Sequence, residues 1–198
     1  MHNLNTTNVQ SDSALGTNMQ VVDAALDSVA YEVWVNASGL EDSGDTASPT
    51  YRAGDLTTGL PAQWRLANGV TSGVSAYVKR NSQWKNGLVG VTPHYSSTVA
   101  GNSIVWKVTI VPIKNLTAPT ATSVSLTKDG PVTASVITTV DLKDSTMSNY
   151  AAIDPSHIGV LVCVGRVGGD ASDTNTGVVY LYGLNIVYRE LTRVVGGK

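Results

Sequence analysis

The chain has 198 residues, of which 42% are apolar and only 14% are charged, and its formal net charge is −2. This length fits one domain, and this composition supports a hydrophobic core. The near-neutral balance argues against nucleic-acid partners and against a polybasic membrane contact. The single cysteine, Cys163, excludes an intrachain disulfide. No long apolar run or signal-like N-terminus is present, so we expect no membrane span and synthesis in a reducing cytosol.

The first 20 residues are polar, rich in Asn and Thr, and have no periodic apolar pattern. Such a segment is either a solvated tail or an extended arm that becomes ordered when it docks on a partner. As a docking arm, residues 1–20 would be anchored on a partner or a neighbouring subunit by their few apolar side chains, Leu4, Val9, Leu15 and Met19. Residues 21–198 are assigned to one β-domain.

Short apolar runs alternate with turn residues through the rest of the chain, which predicts many β-strands. The predicted strands are 29–35, 63–66, 73–79, 88–92, 103–111, 122–127, 133–142, 158–167 and 178–188. Asn86-Gly87 is interpreted as a turn, and Pro112 as the end of a strand or the mark of an edge. Residues 21–28 and 146–152 are the helical candidates. Many short strands favour an antiparallel sandwich or barrel.

The last two predicted strands differ in pattern. Residues 158–167 are apolar on both faces, which is typical of a central strand or of one at a subunit interface. In 178–188 strict alternation predicts that the even-numbered residues from Tyr180 to Tyr188 share one face. Leu181, Gly183, Asn185 and Val187 would then share the other.

Two segments, Val160–Thr174 and Val178–Tyr188, together resemble the C-terminal strand pair of jelly-roll proteins from tailed-phage virions. In that group a strand ending in Arg, here Arg166, leads into an Asp-x-x-Asp-Thr loop, and a last strand ending in Tyr closes the domain. A weaker similarity extends over Leu60–Glu190. The resemblance implies an all-β fold, an antiparallel jelly-roll β-sandwich with an extended N-terminal arm.

The same resemblance implies a non-enzymatic phage virion structural protein, made in the host cytoplasm and located in the virion. The favoured role is a trimeric capsid decoration (cement) protein that binds and stabilises the major capsid shell. Its partners would be two further copies of itself, as a homotrimer, and the major capsid protein or another virion protein. The alternative is a head-fibre or tail-appendage module that binds a receptor or glycan. The absence of heptads and repeats favours decoration over a long shaft.

Arg166 lies near the end of an apolar strand, where an unpaired charge would be costly. Asp170 and Asp173 follow within a Gly-rich loop. We therefore predict a structural latch from Arg166 to these aspartates, within one chain or across a trimer interface. A Ca²⁺ site and a solvated turn are the alternatives, although the EF-hand pattern is missing.

No catalytic, metal-binding or cofactor-binding constellation is evident, so we expect no enzyme activity and no cofactor. The three histidines lack metal-ligand spacing, and Cys163 lies in an apolar strand as a small core residue. Among the aromatic residues, Trp84 and Tyr95 are the candidates for stacking on a glycan. Packing in the core or at an interface is the alternative for both.

Overall fold

A computed structural model describes residues 29–55, 57–80, 84–142 and 156–190. The arm with its four anchor residues and both helical candidates lie outside this part of the chain. In the described ranges, no helix has the length and apolar character needed to cross a membrane.

The described residues form strands that pair in antiparallel fashion throughout. The strands are β1 (Val29–Asn36), β2 (Glu41–Asp42), β3 (Thr50–Arg52), β4 (Gln63–Leu66), β5 (Thr71–Lys79), β6 (Trp84–Ser97), β7 (Ser103–Lys114), β8 (Thr122–Asp129), β9 (Thr138–Thr139), β10 (His157–Val167) and β11 (Val179–Glu190). A short 3-10 turn, Ala37–Gly39, follows β1.

Two sheets make a sandwich. Sheet A has the strand order β3-β4-β11-β6-β9, and β1 also pairs with β11. Sheet B has the order β2-β5-β10-β7-β8. The chain therefore has the predicted all-β, antiparallel jelly-roll sandwich.

The core lies between the sheets and is formed by the inward-facing residues of the long strands. In β7 the predicted face is confirmed, since Ile104, Trp106, Val108 and Ile110 are fully buried. In β10, Val160, Val162 and Val164 are buried in the same way, and the strand lies between β5 and β7 as a central strand. Each such side chain contributes about 1.5–3 kcal/mol of hydrophobic stabilisation.

The predicted alternation of β11 is wrong for its first part. Val179 and Leu181 are buried together with Leu184, Ile186 and Tyr188. The register against β6 shifts between Leu181 and Gly183, so a β-bulge at Tyr182 changes which residues face inward. The odd-numbered residues face the core before the bulge and the even-numbered residues face it afterwards.

Three other expectations need correction or refinement. Asn86-Gly87 is not a turn, because β6 runs without a break from Trp84 to Ser97. Only Thr138–Thr139 of the predicted strand 133–142 is a strand, and Ser135 before it has a positive φ of 60°. Pro112 lies inside β7, beyond Ile110, where the pairing with β8 stops. The absent N–H of Pro112 therefore costs no bond to β8.

A pair of leucine substitutions tests the position of the core. Leu184 is fully buried, whereas Leu116 is fully exposed in the loop after β7. Leu184→Ala should lower the free energy of unfolding by about 2–5 kcal/mol, because it leaves a cavity between the sheets. Leu116→Ala should leave it unchanged. Urea denaturation measures both, and equal effects would contradict the assignment of the core.

Candidate functional site

Arg166, near the end of β10, is completely buried and bound to a carboxylate. Its Nε donates to Asp173 Oδ2 at 2.9 Å and its Nη2 donates to Asp173 Oδ1 at 2.6 Å, which makes a bidentate ion pair. Nη1 and Nη2 also donate to the carbonyl oxygens of Gly177 and Asn175. A further bond runs from Nη2 to Asn68 Oδ1 at 3.3 Å. The charge is therefore neutralised and hydrogen-bonded within one chain.

Asp173 belongs to this latch, but the prediction is wrong for Asp170. Asp173 Oδ2 also accepts a bond from the Val105 backbone N–H at 3.2 Å, so both carboxylate oxygens have partners. Asp170 is exposed, and its Oδ1 accepts from the Ser172 backbone N–H at 2.8 Å. This bond closes a local turn at the beginning of the loop, so the Asp170 carboxylate is not directed at the Arg166 guanidinium.

Asn175 is a second anchor of the same loop, which the sequence did not indicate. Its side chain is fully buried. Asn175 Oδ1 accepts from Ser97 Oγ at 2.9 Å and from the Gly177 backbone N–H at 3.0 Å. Its Nδ2 donates to the carbonyl oxygens of Val99 and Gly101 at 3.2 and 2.8 Å. The partners at the end of β6 and in the β6–β7 connection lie 74–78 residues away, so no local pattern could reveal them.

The latch should have a large effect on stability. Arg166→Met or Asp173→Asn should each lower the free energy of unfolding by about 3–5 kcal/mol, because the other member stays buried without its counter-charge. Asp170→Asn is the matched control and should change it by less than about 0.5 kcal/mol. Thermal and chemical denaturation measure these values. Arg166→Met with wild-type stability would overturn the assignment.

Tyr95 cannot serve as a glycan platform as predicted. It is 1% exposed, and its ring packs edge-on against Trp106 with the centroids 5.0 Å apart. Burial, with a smaller effect of Asp129, raises the pKa of the Tyr95 hydroxyl. Alternation in β6 turns this ring inward, so core packing was the correct alternative. The side chain of Trp84 lies outside the described residues.

The prediction that Cys163 is a core residue is wrong, because Cys163 is half-buried on the face of β10 opposite the core valines. Burial chiefly raises the pKa of its thiol, and the nearby Asp45 acts in the same direction. A raised pKa keeps the group protonated, which does not suit a nucleophile.

Trp34 on β1 is the most prominent exposed aromatic side chain near a depression in the surface. Its neighbours Val33 and Val35 pack against the core, so Trp34 projects from the outer face of sheet A, the side away from sheet B. Half of its surface is exposed. The indole covers Gly183 of β11, where an added β-carbon would lie 2.5 Å from Trp34 Cζ2 and Cη2. Glycine at position 183 is therefore what allows the ring to lie on the sheet.

The Trp34 indole also contacts the imidazole ring of His94 on β6. The two ring centroids are 4.6 Å apart with an interplanar angle of 72°. Tyr182, displaced by the bulge in β11, lies nearby, and its hydroxyl is hydrogen-bonded to Ser96 Oγ at 2.9 Å. Three aromatic side chains from three strands thus meet around one part of the sheet.

These rings border a shallow cavity of about 380 Å³. Its apolar wall consists of Trp34, Ala37, Pro61, Ala62 and Ile137. Its polar groups come from Asn36, Ser38, His94 and Tyr182. Among the described residues, no Asp, Glu, Lys or Arg lines this cavity. Apolar rings combined with neutral donors and acceptors suit an uncharged, polyhydroxylated ligand.

The pattern of β1 contained the signal for this site. In Glu32-Val33-Trp34-Val35-Asn36 the two valines alternate with polar residues, which places Trp34 on the polar and therefore exposed face. The residues that complete the cavity come from β6, β11 and two loops, and one sequence does not show that they meet.

No protein-family model matches this chain, and no curated protein matches it. Among solved structures, the Clostridium thermocellum xylanase 10B CBM22-1–GH10 modules complexed with xylohexaose have a TM-score of 0.49 and 13% identity, covering 80% of this chain and 28% of that chain. The CBM22-1 xylan-binding domain of Paenibacillus barcinonensis Xyn10C has a TM-score of 0.45 and 11% identity. The match covers 79% of this chain and 92% of that domain. The enzymatically active domain of tailspike protein 4 from bacteriophage CBA120 has a TM-score of 0.36 and 11% identity. The match covers 79% of this chain and 20% of that chain.

Proposed function

We propose that this chain is a non-enzymatic virion protein whose jelly-roll sandwich binds a glycan through the outer face of sheet A. The observation that supports the binding role is the half-exposed Trp34 indole beside an uncharged cavity. Trp34 forms one apolar surface with Ala37, Pro61, Ala62 and Ile137, and contiguous apolar surfaces rimmed by polar residues mark sites for ligands or partners.

The geometry around Trp34 suits a sugar ring for a physical reason. One face of a pyranose presents C–H groups, which pack against an indole, while its rim presents hydroxyls. Asn36 and Ser38 supply polar groups at the edge of the cavity, and Tyr182 supplies a hydroxyl. Because Gly183 and His94 fix the indole in place, little side-chain freedom is lost on binding.

The virion context is supported by the resemblance of Val160–Thr174 and Val178–Tyr188 to the closing strand pair of phage jelly-roll proteins. Within that context the glycan-binding face favours a head fibre or tail appendage. The capsid decoration role remains the second candidate. It is favoured by the low charge and by the exposed apolar residues Val132, Val136 and Ile137, which line a separate shallow depression. Of these three, Ile137 also lines the cavity beside Trp34.

Substituting Trp34 tests the binding role. Trp34→Ala should weaken binding to the recognised oligosaccharide on a glycan array by at least about tenfold, equivalent to 1.4 kcal/mol. Trp34→Tyr should retain part of the affinity, since it keeps a ring at this position.

Tyr77→Ala is the matched control, because Tyr77 is also 50% exposed but belongs to sheet B. It should bind like the wild type. An array without any saturable ligand, or equal loss in both alanine variants, would contradict the proposal.

Particle association tests the virion context separately. The purified protein should have the native mass of a trimer and should sediment with phage particles. A monomer that never co-purifies with particles would refute the virion role and leave the glycan-binding test intact.

Deleting residues 1–20 should preserve the trimer but weaken attachment to the particle, as expected for a docking arm.

A further inference from the structure

A second cavity lies at one end of sheet B, where β7 ends and β10 begins. Lys114 and His157 are opposite each other in the ladder between these strands, next to a register shift between His157 and Gly159. The cavity has a volume of about 250 Å³. It is lined by Pro112, Lys114, Thr117, Ala118, Thr120 and His157. It shares no lining residue with the cavity beside Trp34.

The fold places Lys114 at the mouth of the sandwich. Residues two apart on a strand face the same side, so Lys114 follows Ile110 and Pro112 on the inward face of β7. Ile110 is fully buried, and His157 is only 7% exposed. The ammonium and the imidazole therefore border a partly enclosed space where an electrostatic interaction is less screened than on an open surface.

The polar groups around this space are mostly hydrogen-bond donors. Lys114 contributes an ammonium, Thr120 a hydroxyl and His157 an imidazole, whereas the Thr117 hydroxyl donates to the Asn115 carbonyl oxygen at 3.4 Å. Among the residues described, no carboxylate lines the cavity. Lys114 and His157 also interact with other groups of the chain. An ammonium has three N–H donors, so a ligand can add to such an interaction without replacing it.

A third basic residue lies at the same end of the sheet. Arg80 directly follows β5, the strand next to β10, and its backbone N–H donates to Ile158 O at 3.0 Å. Its Nε is buried without a hydrogen-bond partner. Arg80, His157 and Lys114 therefore end or begin three adjacent strands, and the positive charges of Arg80 and Lys114 favour an anion at this end of the sheet.

We propose that this cavity binds a small oxyanion, namely a phosphate, a sulfate or the acidic group of a larger ligand. Cation, imidazole and hydroxyl donors around a space of this size match the several acceptor oxygens of such a group. The site is separate from the glycan-binding face, so its failure would leave that proposal untouched.

Calorimetric titration of the full chain with inorganic phosphate tests the site, with sodium chloride at matched ionic strength as the blank. The wild type should bind saturably, and Lys114→Met should bind about tenfold more weakly, because one charge-assisted bond is lost. Thr120→Val should also weaken binding, and it serves as the second variant if Lys114→Met does not fold. Lys107→Met is the matched control, because Lys107 lies on the same strand but pairs with Asp45 at 3.4 Å.

Two further arms, glucose 6-phosphate and glucuronate, distinguish a free anion from an acidic group on a sugar. If glucose 6-phosphate or glucuronate binds more tightly than inorganic phosphate, the ligand is an acidic group on a sugar. If inorganic phosphate binds most tightly, the ligand is the free anion. Wild-type protein without saturable binding of any probe would overturn the proposal. Equal affinity in wild type, Lys114→Met and Lys107→Met would show an adventitious ion only and would overturn it as well.

Discussion

The ion pair between Arg166 and Asp173 fixes the loop that leads from one sheet of this molecule to the other. Arg166 belongs to β10 in sheet B, and the loop that surrounds its guanidinium leads into β11 in sheet A. A buried guanidinium is costly unless its donors are satisfied. Here the acceptors are the Asp173 carboxylate, two loop carbonyls and Asn68 Oδ1. These contacts hold the loop as far as Gly177, two residues before β11 starts at Val179.

The candidate glycan-binding face depends on that starting point. β11 is the central strand of sheet A, with β4 and β1 along one side and β6 along the other. Its bulge turns Leu184 and Ile186 inward and leaves Gly183 beneath the Trp34 indole. A shift of one residue in β11 would exchange its two faces and place a side chain where the indole lies. The position of the exposed Trp34 ring therefore depends on the register of β11.

The sequence predicted the features that depend on local pattern. The buried face of β7, the central position of β10 and the pairing need of Arg166 all follow from alternation or from the cost of burying charge. The errors have specific causes. A β-bulge reversed the faces of β11, and left-handed backbone at Ser135 interrupted the predicted strand around it.

The candidate site was only partly predictable. Trp34 could have been assigned to the exposed face from the valines on either side of it. The prediction that Tyr95 stacks on a glycan failed because the Tyr95 side chain points into the core. The contacts of Asn175 and the approach of His94 to Trp34 join distant parts of the chain. Long-range contacts of this kind need the pairing of the strands, which one sequence does not contain.

The central claim is that the surface around Trp34 binds a glycan. It is tested most directly by nuclear magnetic resonance of the four tryptophan indole N–H groups during titration with a recognised oligosaccharide. The Trp34 resonance should shift in a saturable manner, while the resonance of Trp106, which is fully buried in the core, should stay in place. Saturable binding that leaves the Trp34 resonance unchanged would contradict the assignment of this face as the glycan-binding surface.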